Sequence, residues 1–242
     1  MTPAAEEVLK ALRRGKIALE GQFFYSSNAT FLVTCEQRGS KFQAVYKPQA
    51  GQSPLWDFEA RGLPKREVAA YTLCQYAGWD FVPPTIFRGS GLPAGPGSLQ
   101  LFIPHDPQEH YFTFAQEVRD QARPIALFDL VCNNADRKAG HLLRDENGKI
   151  WAIDHALCFH AQPKLRTVLW DFAGEGFSPQ EDEMLGRLWE DLGPEQELAR
   201  WMVRWISVAE IEALAERVRD IRHAGCFPTA EPGRRSFPWP PV

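Results

Sequence analysis

The chain has 242 residues, 44% of them hydrophobic and 12% aromatic, which is ample material for a packed core in one large domain or two small lobes. Its formal net charge of -4 and pI near 5.9 offer no basic excess, so bulk electrostatics favour neither nucleic acid nor an anionic membrane as a partner, and an acidic substrate must be held locally. The five cysteines (Cys35, Cys74, Cys132, Cys158, Cys226) are scattered and form no C-x-x-C pair. With no apolar leader and no run approaching the roughly 18 apolar residues of a membrane span, they fit reduced thiols in a cytoplasmic protein without stable membrane association.

In chain order, Thr2-Pro3 opens a short amphipathic helix with Val8, Leu9 and Leu12 on one side and Gly15 as its stop. Ile17–Glu20, Thr30–Glu36 and Phe42–Lys47 then read as strands of an antiparallel meander, punctuated by Gly21, Ser26-Ser27-Asn28 and Arg38-Gly39-Ser40. A loop spans Pro48–Leu63. A helix follows from Pro64 to about Gly78, and Pro83–Phe87 and Ser98–Pro104 complete the sheet. Beyond Ile103–Glu109 the character turns helical. Pro124–Cys132 is an apolar helix, and Leu142-Leu143 with Ile150–Ile153 form a small hairpin about the Glu-Asn-Gly turn. Ser178-Pro179-Gln180-Glu181 and Ser207-Val208-Ala209-Glu210 are capping boxes. Trp189, Leu192, Leu198, Trp201, Met202 and Trp205 supply a bulky apolar face that reads as core. The last stretch, 227–242, carries five prolines and is expected to be extended. The division is thus an α+β protein in two lobes: 1–105 with the antiparallel sheet and one main helix, 106–226 mostly helical, and the tail.

Four charged positions stand at the ends of these elements in the order that phosphoryl transfer from a nucleotide requires. Lys47 closes a strand as Ala-Val-Tyr-Lys, where it can neutralise the α- and β-phosphates, and Glu67 lies twenty residues on in the helix that can pair with it. Asp136, in Asn-Ala-Asp-Arg, follows an apolar helix and precedes a hairpin, a position suited to orienting an acceptor hydroxyl and taking its proton. Asp154, eighteen residues later in Trp-Ala-Ile-Asp, closes the second hairpin strand, where a hard carboxylate binds magnesium. The remaining histidines His105, His110, His155 and His160 form no tight metal spacing, and neither Gly-x-Ser-x-Gly nor a Walker A loop occurs.

The run Asn133-Asn134-Ala135-Asp136-Arg137-Lys138-Ala139-Gly140-His141, followed by Ile153-Asp154, resembles the catalytic and metal motifs of the phosphatidylinositol 3- and 4-kinase superfamily, and within it an uncharacterised bacterial branch. The similarity covers roughly 17–175, including Tyr46-Lys47-Pro48. It implies a two-lobed ATP-binding fold distantly related to HipA-like kinases, with Lys47 the phosphate-binding lysine, Glu67 its partner, Asp136 the catalytic aspartate, His141 and Asp154 the metal positions, and Gln100, Leu101, Phe102 and Ile103 the hinge against adenine.

Three departures from the pattern are informative. His141 stands where the pattern has Asn; imidazole suits manganese better than magnesium, and His141 is open to three roles: a ligand in a manganese-tolerant site, a hydrogen-bonding residue with one metal lost, or a plain loop residue. Asp154-His155-Ala156 lacks the usual glycine. Ser26, Ser27 and Asn28 replace a Gly-x-Gly loop, though hydroxyls and backbone N–H groups also cradle phosphate. The expected function is ATP-dependent transfer of a γ-phosphoryl group, with Mg2+ or Mn2+, to a hydroxyl of a protein or small molecule more readily than of a lipid. A nucleotide-binding pseudokinase and an AMP-transferase are the alternatives.

Overall fold

The computed structural model describes residues 3–23, 28–52, 55–231, 233 and 235–242. Helix α1 (Pro3–Arg14) buries Val8, Leu9 and Leu12, as its periodicity predicts. It lies against a five-stranded antiparallel sheet built from β1 (Lys16–Gln22), β2 (Phe31–Gln37), β3 (Ser40–Pro48), β4 (Thr85–Arg88) and β5 (Gly97–Leu101). The strand order is β1-β2-β3-β5-β4, so β3 is central and delivers Lys47 to the middle of the sheet's edge. Lys47 pairs with Ser98 and Pro48 with Gly97. A Cβ on Gly97 would lie 2.4 Å from the Lys47 carbonyl, so the absence of a side chain there lets β5 approach the strand that carries the lysine.

Helix α2 (Leu63–Tyr76) begins with proline at its first turn and is left through Gly78 at a φ of 82°. Its buried residues include Arg66 and Glu67 as well as Val68, Ala69, Leu73 and Cys74. A helix that buries both charge and hydrocarbon has one side in the core and another committed to the site.

The second half is helical apart from one hairpin. It comprises α3 (Gln116–Arg119), α4 (Arg123–Cys132), the hairpin strands β6 (Leu142–Arg144) and β7 (Ile150–Ala152), and helices α5 (Pro179–Asp191), α6 (Glu197–Met202) and α7 (Val208–Ala224). Both predicted capping boxes form: Glu181 N donates to Ser178 Oγ (3.2 Å) while Ser178 N donates back to Glu181, and Ser207 with Glu210 repeats the pattern. Glu210 also ion-pairs with Arg66, which donates to the Cys158 carbonyl, so the start of α7 locks α2 beside the site.

One expectation changes and another gains detail. Leu192, Leu198 and Met202 are buried as core, but Trp189 and Trp201 are 43% and 44% exposed. Trp201 meets Tyr76 edge-on at 5.7 Å instead of entering the core, because α6 is only six residues long and buries Leu198 and Met202. The proline-rich tail is extended, yet it is fastened along the C-terminal half: Phe227 exchanges hydrogen bonds with Gly174 and Glu175, Thr167 N donates to the Ser236 carbonyl at 3.1 Å, and Ala139 N donates to the Pro241 carbonyl at 2.8 Å. Among the described residues, no helix is long and apolar enough to cross a membrane.

Candidate active site

Helix α4 ends in a left-handed residue, Asn133 (φ 55°), which turns the chain into 134–137. Asn133 is held in that turn by its carboxamide, which donates to the His160 and Gln162 carbonyls and accepts from Lys164 N. Beneath the loop lies an ion pair sealed from solvent, with Arg137 and Asp129 both 0% exposed. The Arg137 guanidinium grips both Asp129 oxygens at 2.9–3.2 Å, and Asp129 also accepts from Asn134 Nδ2 and Thr167 Oγ1. Arg137 then donates to the Ile153 carbonyl at 2.7 Å and to His155 Nε2 at 2.8 Å. A buried pair of this kind is tolerable only because nearly every lone pair and N–H is used. Its structural effect is to tie the Asp136 loop to the segment carrying Asp154.

Asp154 sits in the left-handed region at φ 60°, a conformation that a β-carbon disfavours and that the surroundings must hold. Lys47 Nζ donates to Asp154 Oδ1 at 2.9 Å and ion-pairs with Glu67. The other Glu67 oxygen accepts from His155 N at 3.0 Å. Glu67 is 2% exposed, Lys47 17% and Asp154 42%. The glutamate is therefore an inner anchor, while the aspartate faces the opening. Burial opposes charge on Lys47, but Asp154 and Glu67 outweigh it and push its pKa up, keeping it a cation. Burial likewise works against the Asp154 carboxylate, yet Lys47 and His141 hold it well below the usual carboxylate range.

His141 Nε2 lies 3.3 Å from Asp154 Oδ2, and burial lowers the imidazole pKa to about 4, with Asp154 opposing. The ring is thus neutral at pH 7. Lys138 N donates to Nδ1 at 3.3 Å, which places the ring proton on Nε2, facing Asp154. Asp136 is pushed upward, to about 6: burial raises it, Asp154 adds to that, and Lys138, Arg166 and Arg235 pull the other way. Its Oδ2 lies 3.9 Å from Lys138 Nζ.

Of the four charges that the spacing picks out, Lys47 thus contacts both Glu67 and Asp154, His141 lies against Asp154, and Asp136 is within electrostatic reach of Asp154. The hinge segment divides by role. The Gln100 carboxamide is spent on Thr85 Oγ1 at 2.9 Å, and the Leu101 and Phe102 N–H groups go to the Pro84 and Gln43 carbonyls. Of those three backbone amides at 101–103, only that of Ile103 has no partner among the described residues. Asn28, whose carbonyl accepts from Thr30 Oγ1, precedes β2, while Ser26 and Ser27 lie outside the described residues. Asp129, Arg137 and His155 were not picked out by sequence reasoning. The available signal was Asp129 itself, one carboxylate inside the apolar run Ile125–Cys132.

A divalent cation needs oxygen-rich donors with an open face. Among the described residues no three His, Cys, Asp or Glu side chains converge on one point. Asp154, with its exposed face, and His141 beside it fit a cation that takes its remaining oxygens from nucleotide phosphates and water, which is how magnesium is usually held.

Comparison with known proteins agrees with this geometry. Residues 63–205 match the family described as phosphatidylinositol 3- and 4-kinase. The chain is 34% identical to the Mycobacterium tuberculosis protein Rv2133c, over 95% of this chain and 93% of that one. It is 30% identical to phosphatidylinositol 4-kinase gamma 4 of Oryza sativa subsp. japonica over 63% of this chain, and 28% identical to the gamma 3 enzyme of Arabidopsis thaliana over 66%. It spans only 34% and 36% of those two plant kinases. Among solved structures it is similar to hydra Fam20 (TM-score 0.61, 16% identity, 92% of this chain and 88% of that one) and to the Golgi casein kinase (0.58, 14%, 92% and 74%). At such identities the likeness establishes the kinase-like two-lobed fold.

Proposed function

This chain belongs to the phosphatidylinositol 3- and 4-kinase family, and from that premise we propose that it is an ATP-dependent phosphotransferase that moves the γ-phosphoryl group to a hydroxyl acceptor. The observation that carries the reading is the split between two neighbouring carboxylates: Asp154 kept ionised by Lys47, and Asp136 raised to about 6. Metal work requires a permanent anion, whereas general-base work profits from a group titrating near the operating pH.

Lys47, fixed by Glu67, steadies the α- and β-phosphates, and the Ile103 N–H is the backbone donor open to the adenine edge. A divalent cation bound by Asp154 would supply charge neutralisation at the phosphates. Asp136 accepts the proton of the acceptor hydroxyl as its oxygen bonds the γ-phosphorus. The bond from that phosphorus to the β,γ-bridging oxygen breaks, and ADP leaves with the electron pair. Lys138 Nζ, 3.9 Å from Asp136, is a cation that would offset charge on a phosphoryl group moving toward that carboxylate.

The test is labelled ATP with magnesium or manganese. Label from the γ position should appear on acceptor or water, and label from the α position should not appear on protein. Transfer from the α position would make the protein an AMP-transferase, and nucleotide binding without any turnover would make it a pseudokinase.

A further inference from the structure

Arg217 differs from the other arginines that brace this fold. Arg66, Arg123, Arg137 and Arg222 each meet a carboxylate, whereas Arg217, in the middle of α7, meets none among the described residues. Its guanidinium reaches across to the end of α4, where Nε donates to the Val131 carbonyl at 3.0 Å, and Nη1 makes only a long bond to the Ala213 carbonyl at 3.4 Å. Nη2 is buried and has no acceptor. Burial pushes the pKa of this arginine down, and the groups that oppose the shift are the thiols of Cys132 and Cys158. A half-buried cation without a counter-ion is costly, and its unspent N–H marks where an anion would be held.

The same arginine borders a cavity of about 240 Å³. Helix α7 contributes Arg217 and, one turn on, Ile221; α4 contributes Leu130, with Asn133 just beyond it; and the segment 163–170 contributes Leu165 and Trp170. The tail forms the remaining wall, held there by the Ser236 carbonyl, which accepts from Thr167 N at 3.1 Å and Trp170 Nε1 at 3.3 Å. Among the described residues Arg217 is the only cation on this lining and Glu231 the only acid. Glu231 is exposed, so solvent screens its charge, and it has an interaction of its own.

We propose that this cavity is a ligand site separate from the nucleotide site, and that it takes a small amphiphilic carboxylate whose charge pairs with Arg217 and whose hydrocarbon body packs against Leu130, Leu165, Trp170 and Ile221. With Nη1 so weakly engaged, the guanidinium gives up little when it turns to an anion. The volume is that of about eight waters, too small for a nucleotide. A phosphate monoester is the poorer occupant, because its second charge would lose water against a lining with one cation. Bound there, the ligand touches both the tail and Asn133, whose carboxamide holds the turn into the catalytic loop.

The test is calorimetric titration of the full chain with octanoate. Octanol, which keeps the body and lacks the charge, and acetate, which keeps the charge and lacks the body, are the comparisons. Octanoate should bind at one site per chain, at least tenfold more tightly than either, and should change the fluorescence of the native protein but not that of Trp170→Phe. Arg217→Met should weaken octanoate at least tenfold and leave octanol unchanged, and Arg217→Lys should recover part of the loss. Ile221→Trp, which fills the cavity and leaves Arg217 in place, should abolish binding, with thermal denaturation confirming that each variant is folded.

Failure of octanoate to bind, equal affinities for octanoate and octanol, or octanoate binding unchanged in both Arg217→Met and Ile221→Trp overturns the proposal. So does competition between octanoate and a non-hydrolysable ATP analogue, which would put the acid in the nucleotide site. An acidic amphipathic peptide that binds where octanoate does not would give Arg217 to a protein partner and overturn the small-ligand assignment. None of these measurements involves phosphoryl transfer, so the reading of Asp136 stands or falls separately.

Discussion

Two networks of carboxylate and cation lie side by side, joined through His155, and they are finished differently. Around Asp129 and Arg137 everything is closed: both side chains are 0% exposed, and the guanidinium is spent on Asp129, the Ile153 carbonyl and His155. Around Lys47 and Asp154 the inner end is closed by Glu67, but the aspartate is 42% exposed. The first network offers no solvent-exposed carboxylate or guanidinium face to a ligand, its one unpaired nitrogen, His155 Nδ1, being buried, and it acts by holding two loops together. The second is assembled to the same standard on its protein side and left open on the other. Charge alone does not distinguish scaffold from site; the unspent donor or acceptor does.

The sharpest test of that contrast removes one carboxylate from each network. Asp136→Ala should cut phosphoryl transfer by roughly 10²–10⁴-fold without lowering Tm, measured by γ-label transfer and thermal denaturation on the same preparation. Asp129→Ala should act the other way, destabilising the fold by about 3–5 kcal/mol because it strands the buried Arg137. Denaturant titration reads this directly. If Asp129→Ala kept full stability and lost only activity, the distinction between closed scaffold and open site would break.

A third test uses pH. The Asp136 pKa is raised from 3.8 to about 6. A carboxyl raised on folding releases its proton less readily folded than unfolded, so its contribution to stability is full below about pH 4 and is lost as pH rises through about 6. The native protein should therefore be less stable at pH 7 than Asp136→Asn, by on the order of 1–3 kcal/mol with partial exposure reducing it, and the difference should vanish near pH 3. Activity should rise with pH through the same region as the base ionises. Coincident stability curves for the two proteins would remove Asp136 from the role of strained base.

Much of this contrast was legible in the sequence, and the unread part has a physical cause. Lys47 near the end of β3, Glu67 within α2, and Asp136 and Asp154 just beyond α4 and β7 each belong to an element whose periodicity or turn residues announce it, so their order could be read from local pattern. The capping serines Ser178 and Ser207 could be read for the same reason. Asp129 and His155 could not, because their roles depend on partners far along the chain: Asp129 on Thr167, and His155 N on Glu67, eighty-eight residues apart. The fastening of the tail was unreadable for a related reason. Five prolines in 227–242 argue against helix and strand, and none forms there among the described residues, but the carbonyls of Ser236 and Pro241 remain good acceptors, and composition does not reveal that Thr167 and Ala139 supply the donors. Trp189 and Trp201 show the opposite error, since hydrophobic character was taken for burial.

The smallest expected effect concerns His141, which stands at the border between the two networks. Its Nδ1 accepts from Lys138 N, and its Nε2 faces Asp154 Oδ2 at 3.3 Å. With its Nε2 proton in place, the ring donates to Asp154 and belongs with the scaffold; with that proton displaced, the same nitrogen would be a ligand that favours manganese over magnesium. His141→Asn separates the two, because an amide can still donate to Asp154 but offers a hard oxygen in place of the imidazole. A ligand role predicts that Mn2+ affinity in the presence of a non-hydrolysable ATP analogue, read by electron paramagnetic resonance, falls on the order of tenfold while the ratio of magnesium- to manganese-supported activity rises. The neutral ring at pH 7 and its place on the open face of Asp154 favour that outcome. An unchanged metal preference with an unchanged Mn2+ affinity would instead place His141 beside Arg137, as a residue that aims a ligand without becoming one.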